Sequence, residues 1–327
     1  MSTPPYRSAH ARYAARAAQS CGFAFRSLDG EDGYLFEVRD GVRRGIFAAG
    51  AGTPYALNDA RAASVARDKA FCAEALRQAS VSTLPGRMFF VTKRWAEMRG
   101  PGREPEDAIA YAEAATYPLF CKPLSGSNGL FAEVIADAAA FADYMARVSR
   151  DHFAILVQPF VRGAEYRVFV LQGRALFTYR KHPPHIVGDG RSTVRALIGA
   201  IERDNAGPIE RTRVRDDDGR LVALDETPPL GVRFSLEGPA NRSAGGHASA
   251  LQDGAPKALS ALALAACEAL GLGLAGVDIF DLSPHRDLSV LSVIEVNSNP
   301  MIQTLEDHDR WDLITAIWRA NFEAGLG

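Results

Sequence analysis

Cysteine is scarce. The 327 residues hold four, Cys21, Cys72, Cys121 and Cys267, far apart and with no CxxC pair or metal-ligand spacing. That excludes a disulfide framework or a thiolate metal cage as the organising feature, and the expectation is buried, reduced thiols in a reducing cytoplasm. Neither sign of charge is in excess. Lys and Arg number 37 against 39 Asp and Glu, a formal net charge of -2, which gives no basis for nucleic-acid or membrane-surface binding. Long hydrophobic runs are also missing. The most apolar stretch, Ala258 to Leu274, is interrupted by Ser260 and Glu268 and suits a buried helix rather than a membrane span. The first residues carry Arg7, Arg12 and Arg16 with no acid before Asp29 and lack the apolar core of a secretory signal, so a first helix is expected there. There is no internal repeat, no low-complexity tract, no Walker A loop and no GxGxxG.

What is present is ordinary for a globular chain, 47% hydrophobic and 23% charged, with length for two or three small domains or one large α/β body. Tyr34–Val38 and Arg44–Phe47 read as strands joined at Asp40-Gly41. An alanine-rich helix is expected over 59–79, before a break at Pro85-Gly86. Residues 87–160 give strands at Met88–Val91, Leu119–Lys122, Phe131–Ile135 and Ala154–Gln158, with helices at 105–116 and 136–149. Beyond them, Glu165–Val170 and Arg174–Tyr179 flank a tight Gln172-Gly173 turn, and Gly188-Asp-Gly190 opens an amphipathic helix with Val194, Leu197, Ile198 and Ile201 on one face. A helix over 256–270 should be capped by Gly271, followed by strands at 275–280 and 290–297 and a last helix at 311–324.

Four constellations carry chemistry. In Ile294-Glu-Val-Asn297 the period of two puts Glu295 and Asn297 on one face of a strand. Asp278 sits in an apolar strand, Gly276–Phe280, where a carboxylate is costly unless paired. If those strands are neighbours, the three residues form an oxygen-rich cluster suited to Mg²⁺; taken singly, each also suits an ordinary strand end. The loop Lys122-Pro-Leu-Ser-Gly-Ser-Asn-Gly129 combines a lysine with glycines that let backbone approach phosphate, although a plain surface turn has the same composition. Gln158 to Glu165 runs from an apolar strand through a linker to a glutamate, a segment that suits either an exposed connection or an adenine and ribose contact. Asn241-Arg-Ser-Ala-Gly-Gly-His247 is a polar loop with donors for an anion, or simply a solvated one.

The order of these pieces resembles the ATP-grasp superfamily over roughly residues 55–310, with the nearest look to the glutathione-synthetase domain of bifunctional glutathione-forming enzymes and to cyanophycin synthetase. The resemblance implies an α/β (α+β) ATP-grasp fold: an N-terminal α/β domain over 1–86, a small lid over 87–161 and a larger mixed-sheet C-terminal domain over 162–327. It implies ATP and Mg²⁺ (or Mn²⁺) as cofactors. Lys69, which follows Asn58 and Asp68 in a matching segment, and Lys122 would reach phosphate, with Ser125, Gly126, Ser127, Asn128 and Gly129 as the covering loop. Gln158 and the backbone of Phe160 and Val161 would hold adenine, Glu165 the ribose, and Asp278, Glu295 and Asn297 the metal. Gln158 stands where many relatives have glutamate, and Lys181 falls at the family's arginine position with Arg180 beside it, so either Arg180 or Lys181 is the phosphate contact. Arg167 would hold the acyl phosphate or a substrate carboxylate, while Asn241 and Arg242 belong to the family's Asn-x-Ser-x-Gly-Gly loop, Arg242 as a carboxylate contact.

The implied activity is ATP-dependent joining of a carboxylate to an amine through an acyl phosphate, on amino acids or short peptides, with a homodimer as a common arrangement and a cytoplasmic location. Phosphotransfer or carboxylation within the same superfamily is one alternative; a nucleotide-binding module without catalysis is the other, and the complete metal set argues against it.

Overall fold

The computed structural model describes residues 6–50, 53–126, 129–204, 214–216, 220–236 and 246–326. Four antiparallel sheets organise them. The central sheet runs in the order His247–Ala248, Arg174–His182, Ala164–Leu171, Leu274–Asp281, Leu291–Asn297, with Gln252–Asp253 also on Arg174–His182. A four-stranded lid sheet is ordered Arg87–Phe90, Ala154–Pro159, Leu119–Pro123, Glu133–Ile135. The helices Pro105–Glu113 and Ala138–Val148 cover it, contributing Ala108, Ala112, Phe141, Tyr144 and Val148 to a core of its own. A smaller sheet joins His185–Val187, Arg233–Leu236, Val214–Asp216 and Leu221–Val222.

The two faces of the central sheet are buried differently. Val168, Val170, Val277 and Ile279 pack under the helix Lys257–Leu270, whose end is set by Gly271 in the left-handed region at φ 69°. On the other face Phe169, Phe177 and Leu274 share a core with the N-terminal helix Ala9–Cys21, the sheet Ala24–Ser27, Leu35–Asp40, Arg43–Ala48, and the C-terminal helix Trp311–Gly325. The side-chain alternation of both hairpin strands produces this arrangement, one face for helices and one for an apolar core that ends where polar residues begin.

Two local expectations are corrected. The helix expected over 59–79 is two, Ala60–Arg67 and Lys69–Gln78, because the Asp68 backbone leaves the helical conformation and its carboxylate accepts from Ala70 N and Phe71 N as a new N-cap. The first hairpin turns on Gly41-Val42, since Asp40 still pairs with Arg43. The Gln172-Gly173 turn is present with positive φ at both residues, 47° and 73°. Among the described residues no helix is long and apolar enough to cross a membrane. Cys72, Cys121 and Cys267 are buried and Cys21 half-buried, all as free thiols.

His10 is buried against Tyr55 and Trp318, its Nδ1 without a hydrogen-bond partner. Burial lowers its pKa from 6.5 to about 4. The unfolded chain therefore binds a proton that the folded chain refuses. Stability is intact above pH 6.5 and falls as pH drops toward 4, by up to about 3 kcal/mol. Urea melts from pH 7 to 4 should show that slope in the wild type and a shallower one in His10→Leu.

Candidate active site

The lid sheet and the central sheet face each other across a cleft of about 800 Å³. On the lid side, Lys122 at the end of Leu119–Pro123 is 5% exposed, and burial lowers its pKa. Gly126 and Gly129 line the cleft beside it. Lys69, first residue of its helix, reaches across with Nζ 3.2 Å from the Gly126 carbonyl and 3.3 Å from Glu295 Oε1. The break at Asp68 is what aims it there. Gln158, also buried, donates to Pro85 O at 3.4 Å, and the chain then passes through Phe160 and Val161 along the cleft wall. The Phe160 N–H is already donated to the Pro118 carbonyl at 3.1 Å.

The central-sheet side is a buried charge cluster on adjacent strands. Asp278 is the register partner of Arg167 on one side and of Glu295 on the other. Arg167 grips it with two bonds, Nε to Oδ1 at 2.8 Å and Nη2 to Oδ2 at 2.7 Å. Lys181 Nζ lies 3.4 Å from Asp278 Oδ2 and also pairs with Glu165, its cross-strand neighbour. Asn297 Nδ2 is 3.5 Å from Asp278 Oδ2. Burial by itself would raise the Asp278 pKa, but Arg167 and Lys181 hold it below the usual carboxylate range. Burial likewise pulls Arg167 and Lys181 down, and their carboxylates more than offset it. Near this end of the cleft Lys69, Lys122, Arg167 and Lys181 face Glu165, Asp278 and Glu295. Four cationic side chains from several elements converging on one desolvated space suit an anionic ligand.

Two bulges decide which side chains enter the cleft. In the hairpin after Glu165, Leu171 pairs with Arg174 and Val170 with Ala175, but Phe169 pairs with Phe177. That one-residue shift brings Lys181 opposite Glu165 and sends Arg180 to the back face opposite Tyr166, so Arg180 does not line the cleft. Of the two, Lys181 is the one that lines the cleft. In the second bulge Asp278 pairs with Glu295 while Ile279 pairs with Val293, leaving Ile294 as the extra residue. Val293 consequently faces the apolar core, whereas Glu295 and Asn297 face the cleft. The edge of this strand is covered by residues 82–84 through Val293 N to Ser82 O at 2.9 Å and Thr83 Oγ1 to Val293 O at 3.0 Å.

Of the expected site residues, Lys69, Lys122, Gly126, Gly129, Gln158, Phe160, Val161, Glu165, Arg167, Lys181, Asp278, Glu295 and Asn297 all line this cleft. Ser125 lies next to Gly126 and is not among the lining residues. Ser127, Asn128, Asn241 and Arg242 lie outside the described residues. Sequence reasoning missed the outer rim, Met301, Gln303, Thr304, Asp307 and His308. Its only signal was position, directly after Asn299-Pro300. Asn58 is structural in this geometry: its Nδ2 donates to Leu274 O and Ser298 O, both at 2.8 Å, and its Oδ1 accepts from Leu274 N at 3.0 Å.

Asp278, Glu295 and Asn297 supply two carboxylates and an amide oxygen on neighbouring strands, a hard donor set that fits Mg²⁺. Among the described residues no group of three or more His, Cys, Asp or Glu is arranged to hold a metal alone.

A cleft between two antiparallel sheets, lined by lysines from both and by the paired carboxylates of Asp278 and Glu295, is the arrangement that the resemblance to ATP-grasp proteins leads one to expect. No protein-family model matches the chain. In sequence it is similar to cyanophycin synthetase from Nostoc sp., 32% identical over 212 residues covering 60% of this chain and 23% of that protein. It is also similar to the glutathione biosynthesis bifunctional protein GshAB from Streptococcus mutans, 27% identical over 208 residues, 58% of this chain and 28% of that one. The matched stretch therefore spans about a quarter of the length of these relatives. Among solved structures it is similar to a bifunctional glutathione synthetase from Pasteurella multocida, with TM-score 0.47, 20% identity, 89% of this chain and 41% of that one.

Arg167→Leu leaves Asp278 buried with a weaker partner and should cost about 3–5 kcal/mol in urea melts, while Arg167→Leu with Asp278→Leu together should recover part of that loss.

Proposed function

We propose that the chain is an ATP-dependent carboxylate–amine ligase that forms an amide or peptide bond between amino-acid or small-peptide substrates and releases ADP and phosphate. The observation that carries this reading is the charge cluster of Arg167, Lys181, Asp278 and Glu295 sharing one cleft with Lys69 and Lys122. The similarity to cyanophycin synthetase and GshAB supports it.

On this reading a substrate carboxylate oxygen takes the γ-phosphoryl group of ATP. The amine nitrogen then attacks the acyl carbon, the C–O bond to phosphate breaks, and the amine proton leaves to solvent. Lys69, Lys122 and Lys181 neutralise phosphate charge, and Arg167 holds the acyl phosphate or substrate carboxylate, so that positioning and charge compensation do most of the work. Asp278, Glu295 and Asn297 are the residues that would hold Mg²⁺ (or Mn²⁺), which when bound spreads charge from the transferring phosphoryl group. Gln158, the linker at Val161 and Glu165 face the nucleoside, and the loop at 125–129 covers the phosphates and limits hydrolysis. With Phe160 N–H spent on Pro118, Val161 is the better candidate for a backbone contact to adenine. Asn241 and Arg242 remain assigned to substrate recognition by resemblance. The same reading divides the chain at 86 and 161 into an N-terminal part, a lid and a metal-bearing C-terminal part, and takes the enzyme as a cytoplasmic homodimer.

Phosphate release screened over pairs of amino acids and dipeptides, with products weighed by mass spectrometry, tests the activity. Glu295→Gln is the sharper variant, because Glu295 makes a single ion pair among the described residues, with Lys69, whereas Asp278 also holds Arg167 in place. It should fold like the wild type and lose at least roughly a hundredfold in kcat. Full activity in Glu295→Gln would remove the metal assignment, and ATP binding without turnover over the whole panel would leave a nucleotide-binding module.

A further inference from the structure

The outer rim of the cleft is built from a short and poorly supported piece of chain. Gln303–Asp307 is a five-residue helix whose N-cap, Ile302, makes no side-chain cap hydrogen bond. A single turn of helix has no stability of its own in water. Yet Gln303, Thr304 and Asp307 all line the cleft.

What holds the rim comes from the far end of the sequence. Asn58 Nδ2 donates to Ser298 O at 2.8 Å, and the buried Tyr55 hydroxyl donates to Pro300 O at 3.2 Å. The hydroxyl of Tyr13, on the helix Ala9–Cys21, donates to Glu306 Oε2 at 2.6 Å. Arg12 Nη2 stands 3.7 Å from the same carboxylate, and Arg16 lies over the Trp311 ring at 3.6 Å just after the rim. Leu305 is fully buried in the core that Tyr13 shares. The contacts thus follow the rim in order, from Ser298 to Glu306. By contrast, Lys122, Glu165, Arg167, Lys181, Asp278 and Glu295 are carried on strands of the lid and central sheets.

The geometry points to Tyr13 as a positioning residue: through Glu306 it sets the rim helix Gln303–Asp307, and with it the subsite for the organic substrate, without acting on the nucleotide end. This rests on the proposed ligase reading for its kinetic consequence but not for its structural one. Tyr13 does not touch the cleft, and the phenyl ring of Tyr13→Phe still fills the core.

The experiment pairs hydrogen exchange with kinetics. In Tyr13→Phe, peptides spanning 301–310 should exchange faster than in the wild type while peptides spanning 274–281 do not. With the substrates found by the screen, the KM of one organic substrate should rise roughly five- to tenfold, with the KM for ATP unchanged. Glu306→Gln keeps an acceptor for the Tyr13 hydroxyl and should stay near the wild type in both readouts, whereas Glu306→Leu should reproduce Tyr13→Phe. Unchanged exchange at 301–310 in Tyr13→Phe overturns the inference, as does a rise in KM shared equally by ATP. If the wild type forms no product with any pair, the ligase reading fails and the exchange measurement alone still decides the role of Tyr13.

Discussion

The bidentate ion pair between Arg167 and Asp278 is the constraint around which the rest of the site is arranged. Both partners lie on the middle strands of the central sheet, directly opposite each other, and both are almost out of water. Removing two charges from solvent costs several kcal/mol each unless every oxygen and nitrogen finds a partner. Lys181 and Asn297 provide the remaining contacts, and Glu165 balances Lys181 in turn. The result is a patch of sheet in which charge replaces the apolar packing found a few residues further along the same strands, at Phe169 and Leu274. Stability and chemistry are stored in the same few side chains, so variants of this cluster report on both at once.

The two sheets supply different things to the cleft. The central sheet supplies a rigid array whose spacing is fixed by strand register. The lid supplies Lys122 and the glycines beside it, carried on a sheet with its own core and joined to the central sheet by residues 160–163. Lys69 links them, since its ammonium contacts the lid loop at Gly126 and the central sheet at Glu295. An anionic ligand placed between the sheets would meet cations from both, which is the arrangement expected where charge must be neutralised on several oxygens at once.

Much of this was legible in the sequence, for a definite reason. Alternation along a strand places Glu295 with Asn297 and Glu165 with Arg167 whatever the surroundings, and a lone carboxylate amid Val277 and Ile279 has to have a partner. The choice between Arg180 and Lys181 was not legible, because it depends on a one-residue bulge inside the hairpin; continued without it, the Leu171 to Arg174 register would have put Arg180 opposite Glu165. The extra residue at Ile294 has no signature of its own in an unbroken apolar run. The break at Asp68 was hidden because aspartate suits a helix cap and, less well, a helix interior. The rim at 301–308 escaped because its order comes from Tyr13 on Glu306 and from Tyr55 and Asn58 on Pro300 and Ser298 just before it, contacts that all span hundreds of residues.

The shared core of the first and last helices also bears on how the chain is made. During synthesis the N-terminal segments leave the ribosome first and usually fold as they emerge. Here the helix Ala9–Cys21 and the sheet behind it bury Tyr13, Phe36 and Phe47 against Trp318 and Phe322, which are translated much later. Until the helix Trp311–Gly325 has been released, that aromatic surface has no permanent cover, although the lid can already close its own core. The order of assembly is therefore inverted with respect to the order of translation for this pair of elements: the helix Ala9–Cys21 is made well before the helix Trp311–Gly325 and gains its place only with it.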